Sequence, residues 1–133
     1  MEREDLERLI ERRYGIIADY PFFEDDVTCV FRHQTSNKWF AIAMRVSKRK
    51  LGLDDDTFFD IVNFKCSPEI IDSLIDTEKG VFRAYHMNKL HWITAALDGS
   101  CDDGLIEWIL NVSYTLTGSK SRNRRSVGRD KTK

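Results

Sequence analysis

From Glu4 to Tyr14 the chain sets Leu6, Leu9, Ile10 and Arg13 at helical spacing with its other charges between them. This pattern predicts a first helix, and Gly15 is its stop. Ile16 to Phe23 reads as a connector holding Pro21 between Tyr20 and Phe22. The period then changes. Val27–Arg32 and Lys38–Val46 are rich in β-branched and aromatic residues, and the turn cluster Gln34-Thr35-Ser36-Asn37 separates them, so a β-hairpin is expected. Ser47 to Asp56 is polar and charged around Gly52 and reads as a loop.

Thr57 to Lys65 predicts a third strand, with Phe59, Ile61 and Asn63 on one face and Phe58, Val62 and Phe64 crowding both. Ser67 followed by Pro68 is a helix start, and Ile70, Ile71, Leu74 and Ile75 give that helix its apolar stripe. After Gly80 come two more strands, Val81–Tyr85 and Leu90–Leu97, joined by a turn over His86–Lys89. Asp98-Gly99 opens a loop, and Asp102 or Asp103 caps a last helix whose buried side holds Leu105, Ile106, Ile109, Leu110 and Val112. Gly118 ends it. The order α-β-β-β-α-β-β-α predicts an α+β fold, its antiparallel sheet built from two hairpins and one further strand, with three helices on one face or end. No βαβ alternation with a glycine-rich turn is present, which argues against a nucleotide-binding parallel sheet.

At 133 residues the folded part is one domain, expected over residues 1–117. The charged start Met1-Glu2-Arg3-Glu4-Asp5 lacks the apolar run of a signal peptide, and no window approaches the ~18 apolar residues of a membrane span. A cytoplasmic protein with no membrane partner is the expectation. Cys29, Cys66 and Cys101 are widely spaced and odd in number, which fits buried reduced thiols.

Net charge is −1, but its distribution is uneven. Residues 118–133 hold seven basic residues and one acid, a balance of +6 that leaves −7 for the rest. This basic tail has few large apolar residues and is expected to be disordered. Val27–Leu53 and Lys79–Leu97 contain no acid and together carry +9.

Candidate chemistry concentrates in Arg83–Thr94, which brings two histidines, two cations, an asparagine and two aromatics together without an acid. His86 and His91 flank the turn, but without a nearby carboxylate or cysteine, hydrogen bonding and ring stacking account for them better than a metal. Cys66, beside Lys65 at a helix start, sits where a thiolate is favoured, yet no histidine partner is evident. The acid runs Glu24-Asp25-Asp26 and Asp54-Asp55-Asp56 lie in polar loops and read as capping or solvated charge. Cations interleaved with aromatics on hairpins suit phosphate neutralisation and base stacking better.

At this point the chain resembles the MmcQ/YjbR family. The resemblance is carried by Ala84-Tyr85-His86-Met87-Asn88-Lys89 with His91-Trp92-Ile93-Thr94, and by Lys38-Trp39-Phe40-Ala41. Val62-Asn63-Phe64-Lys65-Cys66 with Pro68-Glu69, then Leu97-Asp98-Gly99 and Ser113-Tyr114, extend it from about Leu6 to Thr117. Ala84 stands where glycine is expected in many relatives, and Leu90 adds an apolar side chain beside the turn. The resemblance implies a two-layer α+β fold described as a double wing, DNA as partner, and no enzyme activity or cofactor. On that reading Lys38, Arg83 and Lys89 neutralise phosphates, while His86, Asn88 and His91 hydrogen-bond to phosphate, sugar or base edges. Tyr85 and Trp92 stack on bases or brace the hairpin. The alternative partner is a protein held by the Tyr85–Trp92 hairpin, since aromatics with arginine also suit an interface. A third reading is a small-molecule or metal pocket gathering His86, His91 and Cys66.

Overall fold

A computed structural model describes residues 1–118. The expectation for the tail beyond them lies outside the described residues. The helices are α1 (Arg3–Tyr14), α2 (Pro68–Thr77) and α3 (Asp103–Thr117), with a 3-10 turn at Lys48–Leu51. The strands are β1 (Cys29–Arg32), β2 (Trp39–Ser47), β3 (Phe58–Lys65), β4 (Val81–Arg83) and β5 (Trp92–Ala96). They form one antiparallel sheet in the order β1-β2-β3-β5-β4, so the α+β expectation and its element order hold.

Alternation along the strands sorts side chains to two faces. Ala41, Ala43, Val62, Phe64, Ile93 and Ala95 point to one of them. Leu6, Leu9 and Ile10 of α1 and Ile106, Ile109 and Leu110 of α3 close over these residues, so the helical stripes read from the sequence form the main core. Burying each such side chain fully contributes about 1.5–3 kcal/mol. Gly15 ends α1 in the left-handed region at φ 70°, its N–H bonded to Glu11. The Ser113 hydroxyl of α3 donates to the Phe40 carbonyl at 2.6 Å and accepts from the Lys65 amide at 2.8 Å. It bridges β2 and β3 just past the last rung of their ladder, Ala41 opposite Phe64.

The second face is also covered. Val30, Ile42, Ala84 and Trp92 form one buried cluster there, and Val46, Phe59, Ile61 and Ala96 form another. Leu51 of the 3-10 turn and Phe82, Tyr85 and Met87 pack onto these clusters. Face two is therefore roofed by chain rather than by helices.

Several boundaries differ from the sequence reading, each for a side-chain reason. β1 starts at Cys29 because the Asp25 carboxylate accepts from the amides of Val27 and Thr28 at 2.8 and 2.9 Å, holding them in a turn. The Ser47–Asp56 loop contains the 3-10 turn, started by the Ser47 hydroxyl accepting from Arg49 and ended by Gly52 at φ 84°. Ser67 does stand before α2 with Pro68 first, but its carbonyl, not its hydroxyl, makes the helical bond, to Ile71 at 3.0 Å. The largest change is in the second hairpin. β4 stops at Arg83 and β5 begins at Trp92, so residues 84–91 form a compact loop rather than a four-residue turn.

Candidate functional site

Antiparallel order fixes where the hairpin tips lie. The β1–β2 tip precedes the start of β2, which lies beside the end of β3. The end of β3 pairs with the start of β5, Lys65 opposite Trp92, and β5 in turn pairs with the end of β4. Both tips, residues 33–38 and 84–91, therefore leave the same end of the sheet, and Lys65 ends the strand between them. Three strand spacings separate the hairpin centres, about 14 Å. None of residues 33–38, 61–68 or 84–91 is an acid, so three acid-free segments meet at this end.

The Ala84–His91 loop is shaped by its own polar groups. His86 takes a left-handed conformation at φ 64°, uncommon outside glycine, and its ring lies 4.0 Å from that of Tyr85. The Tyr85 amide donates to the Thr94 hydroxyl at 2.9 Å, and the Tyr85 carbonyl accepts from the Asn63 side chain at 3.1 Å. Thr94 and Asn63, both fully buried, are bonded to each other. Asn88 accepts the amide of Leu90 on its side chain at 2.8 Å and that of Trp92 on its carbonyl at 3.0 Å. The backbone of His91 reaches β3 through a 2.8 Å bond from the Cys66 amide.

The side chains singled out from the sequence fall into distinct settings. Lys38 is exposed beside the first tip, and His86, Asn88, Lys89 and His91 are exposed on the second. Lys89 donates to the Ala84 carbonyl at 2.7 Å, and Arg83 pairs with Asp72 of α2 at 2.8 Å. Trp92 is buried, with the Lys65 ammonium 5.5 Å over its ring, and Tyr85 is half-buried on the roofed face. Trp92 supports the loop from β5, and Tyr85 anchors it by packing onto the second face of the sheet. Lys65, which the sequence reading left without a role, is aligned between the two tips.

Among the described residues no three histidines, cysteines or acids cluster as metal ligands. Burial pushes the Cys66 thiol above its ordinary range, the reverse of an activated thiolate. Cys101 is pushed up to about 11, by burial and then by the charge of Asp102. The acid runs are committed locally. Asp55 caps Thr57 at 2.7 Å, and Asp56 takes the Arg49 guanidinium at 2.6 Å. Hydrogen bonds from the Thr28 and Thr57 hydroxyls hold the carboxyls of Asp25 and Asp55 below the usual range. A cavity of about 370 Å³ instead lies beside β4, between α2, the 3-10 turn and the Ala84–His91 loop. Four separate segments build it, so no local motif announced it.

A family model described as YjbR matches residues 11–116, a span that contains the sheet, both tips and the roofing loop. The chain belongs to the YjbR family. YjbR relatives share most of this architecture. The uncharacterised protein YyaQ of Bacillus subtilis (strain 168) is 37% identical over 117 residues, covering 88% of this chain and 98% of that one. The uncharacterised protein YjbR of Escherichia coli (strain K12) is 40% identical over 53 residues, 40% of this chain and 45% of the relative. A crystal structure of a Pseudomonas syringae protein superposes with a TM-score of 0.84 at 32% identity, covering 89% of this chain and all of the other. The Deinococcus radiodurans protein DR2400 matches at 23% identity and TM-score 0.67 over 93% of this chain and 86% of its own, and carries the fold alone. No described helix of this YjbR chain is long and apolar enough to cross a membrane.

Proposed function

We propose that this protein is a non-enzymatic DNA-binding protein whose two hairpin tips address a duplex from one end of the sheet. The observation that supports this most is the meeting of three acid-free segments there, with Lys38, Lys65 and Lys89 among them. Tips about 14 Å apart, from the strand spacing, match a B-DNA major groove about 12 Å wide, so each reaches a flanking phosphate strand. Lys38, Lys89 and Arg83 neutralise phosphate, and the exposed His86, Asn88 and His91 supply further hydrogen bonds. Asp72 already draws on Arg83, which makes Lys38 the stronger contact.

Gly118, the last described residue, lies against His33 of the first tip, since a Cβ placed on it would come within 3.3 Å of that ring. Seven basic residues follow Gly118 in the sequence and add nonspecific attraction to phosphate.

The test is fluorescence anisotropy with labelled duplex DNA at several salt concentrations, comparing the full chain with one ending at Thr117. Salt-dependent binding retained by the shorter chain supports the tips. Binding lost with the tail assigns attraction to the tail and overturns the two-tip reading.

A second reading, a protein partner, is favoured by a different surface from the one the sequence suggested. Ile17, Tyr20, Phe22, Phe23 and Val27 are all exposed on the connector, with Phe23 98% accessible. Phe22 packs edge-on against Trp39 at 6.2 Å, which links this apolar patch to the start of β2. Binding that ignores salt and fails after Phe23→Ser would favour it.

A further inference from the structure

We infer that the cavity beside β4 binds a small organic carboxylate with an aromatic or branched apolar body. This does not depend on the DNA reading. β4 is the sheet's edge strand, and the cavity of about 370 Å³ sits where it meets α2, the 3-10 turn and the Ala84–His91 loop. That volume is at the small end of ligand sites, with room for a two-ring molecule.

The lining divides by chemistry. Val81 and Ala84 are its buried members, Leu51 and Ile75 are half-buried, and Phe82 and Tyr85 add rings. The charged members are Lys50, Arg83 and Lys89, all exposed, and no carboxylate lines the cavity among the described residues. A cationic rim thus surrounds an apolar interior. Inorganic phosphate would satisfy the rim and leave the interior facing water. A neutral hydrocarbon would do the reverse. A carboxylate on an apolar body answers both.

Two of the cations are held in place. Asp72 engages Arg83 through Nη1 at 2.8 Å, and the guanidinium carries five N–H donors, so its fork can still grip a carboxylate. Lys89 spends one of three donors on the Ala84 carbonyl at 2.7 Å, a group of the cavity's own wall. Positioning before the ligand arrives lowers the ordering that binding requires.

The test is titration of the isotope-labelled full chain, without DNA, with indole-3-acetate, its neutral analogue indole-3-acetamide and inorganic phosphate, followed by amide NMR shifts. The expected result is saturable movement confined to Leu51, Ile75, Val81–Tyr85 and their neighbours on adding the acid. The neutral analogue should bind about tenfold more weakly, the loss of one charge-assisted contact. Phosphate should leave Ile75 and Val81 unmoved. Arg83→Gln, at an exposed position, should weaken the acid about tenfold while the remaining spectrum keeps its dispersion. Equal affinity for acid and amide, saturable shifts lying only elsewhere, or no saturable shift at millimolar acid would each overturn the assignment. Arg83 and Lys89 are also assigned to phosphate, so this titration is run without DNA and its outcome is read separately from the anisotropy.

Discussion

The side-chain amide of Asn63, fully buried in the middle strand, donates to the Tyr85 carbonyl at 3.1 Å and ties the Ala84–His91 loop to the sheet. Thr94 completes the tie by bonding Asn63 and accepting the Tyr85 amide at 2.9 Å. Asn63→Leu keeps a similar volume but leaves the part-buried Tyr85 carbonyl without its donor and the buried Thr94 hydroxyl proton without its acceptor. Each such group costs about 1–3 kcal/mol, so a loss of about 2–4 kcal/mol is expected in urea denaturation. Amide exchange should accelerate first in residues 84–91. Unchanged exchange there would mean that the packing of Met87 and Trp92, not the polar tie, holds the loop.

Gly80 and Gly15 make a matched pair for the backbone. Both are left-handed, at φ 77° and 70°, but a Cβ on Gly15 would meet open space. On Gly80 it would come within 2.6 Å of the Cys101 amide nitrogen, which cannot swing aside as a side chain can. Gly15→Ala should therefore cost about 1–2 kcal/mol, the left-handed penalty alone. Gly80→Ala should cost at least about 3 kcal/mol, since the clash adds to that penalty. Thermal unfolding of the two variants in parallel checks the difference.

Cys101 gives stability a dependence on alkaline pH. Burial and the Asp102 charge push its pKa up to about 11 in the folded chain, whereas a free thiol is half-ionised near 8.5. The folded state therefore binds this proton more tightly. Its contribution is complete below the unfolded value and is lost as pH rises from about 8.5 through 11, by an amount on the order of 3 kcal/mol. Cys29 and Cys66 are raised by burial in the same direction. Urea midpoints measured across this range should fall more steeply for the natural chain than for Cys101→Ala. Parallel curves would show that the buried thiol is not the group responsible.

On the two-tip proposal, phosphate contacts are separable by salt. Lys38→Ala should weaken duplex binding and reduce the slope of log K against log salt by about 0.9, one phosphate's worth. Lys89→Ala should lower the slope similarly and also loosen its own loop, because the Ala84 carbonyl loses its 2.7 Å partner. An unaltered slope for Lys38→Ala would remove the first tip from the interface.

Much of the fold was legible because its signals are local. The stripe Leu6, Leu9, Ile10 and the set Ile106, Ile109, Leu110 are buried as their spacing required, and the β-branched and aromatic runs at β2 and β3 mark strands of nearly the observed length. What was not legible depends on distant partners. β4 and β5 were read two residues too long at the loop side because Asn63 and Thr94, not backbone rungs, receive Tyr85. The roof over the second face was not legible from Phe82 and Tyr85, because an extended strand would send residues three apart to opposite faces, whereas both pack on the same cluster. The candidate cations were visible, but Arg83's pairing with Asp72 joins two elements with Gly80 between them and follows no periodicity.

The strand order also sets a time course. β1, β2 and β3 are successive neighbours and can zip from short turns, whereas β5 reaches β3 only after residues 66–91 have been drawn into a closed loop. Loop-closure entropy must be met before Phe64 and Ile93 face one another, which makes this the late and slow joint in refolding. Weakening the β3–β5 contact, the joint that sets the rate, should slow refolding. Until that joint closes, the middle strand keeps one edge open to other chains, so crowded refolding is when this protein is most exposed to aggregation.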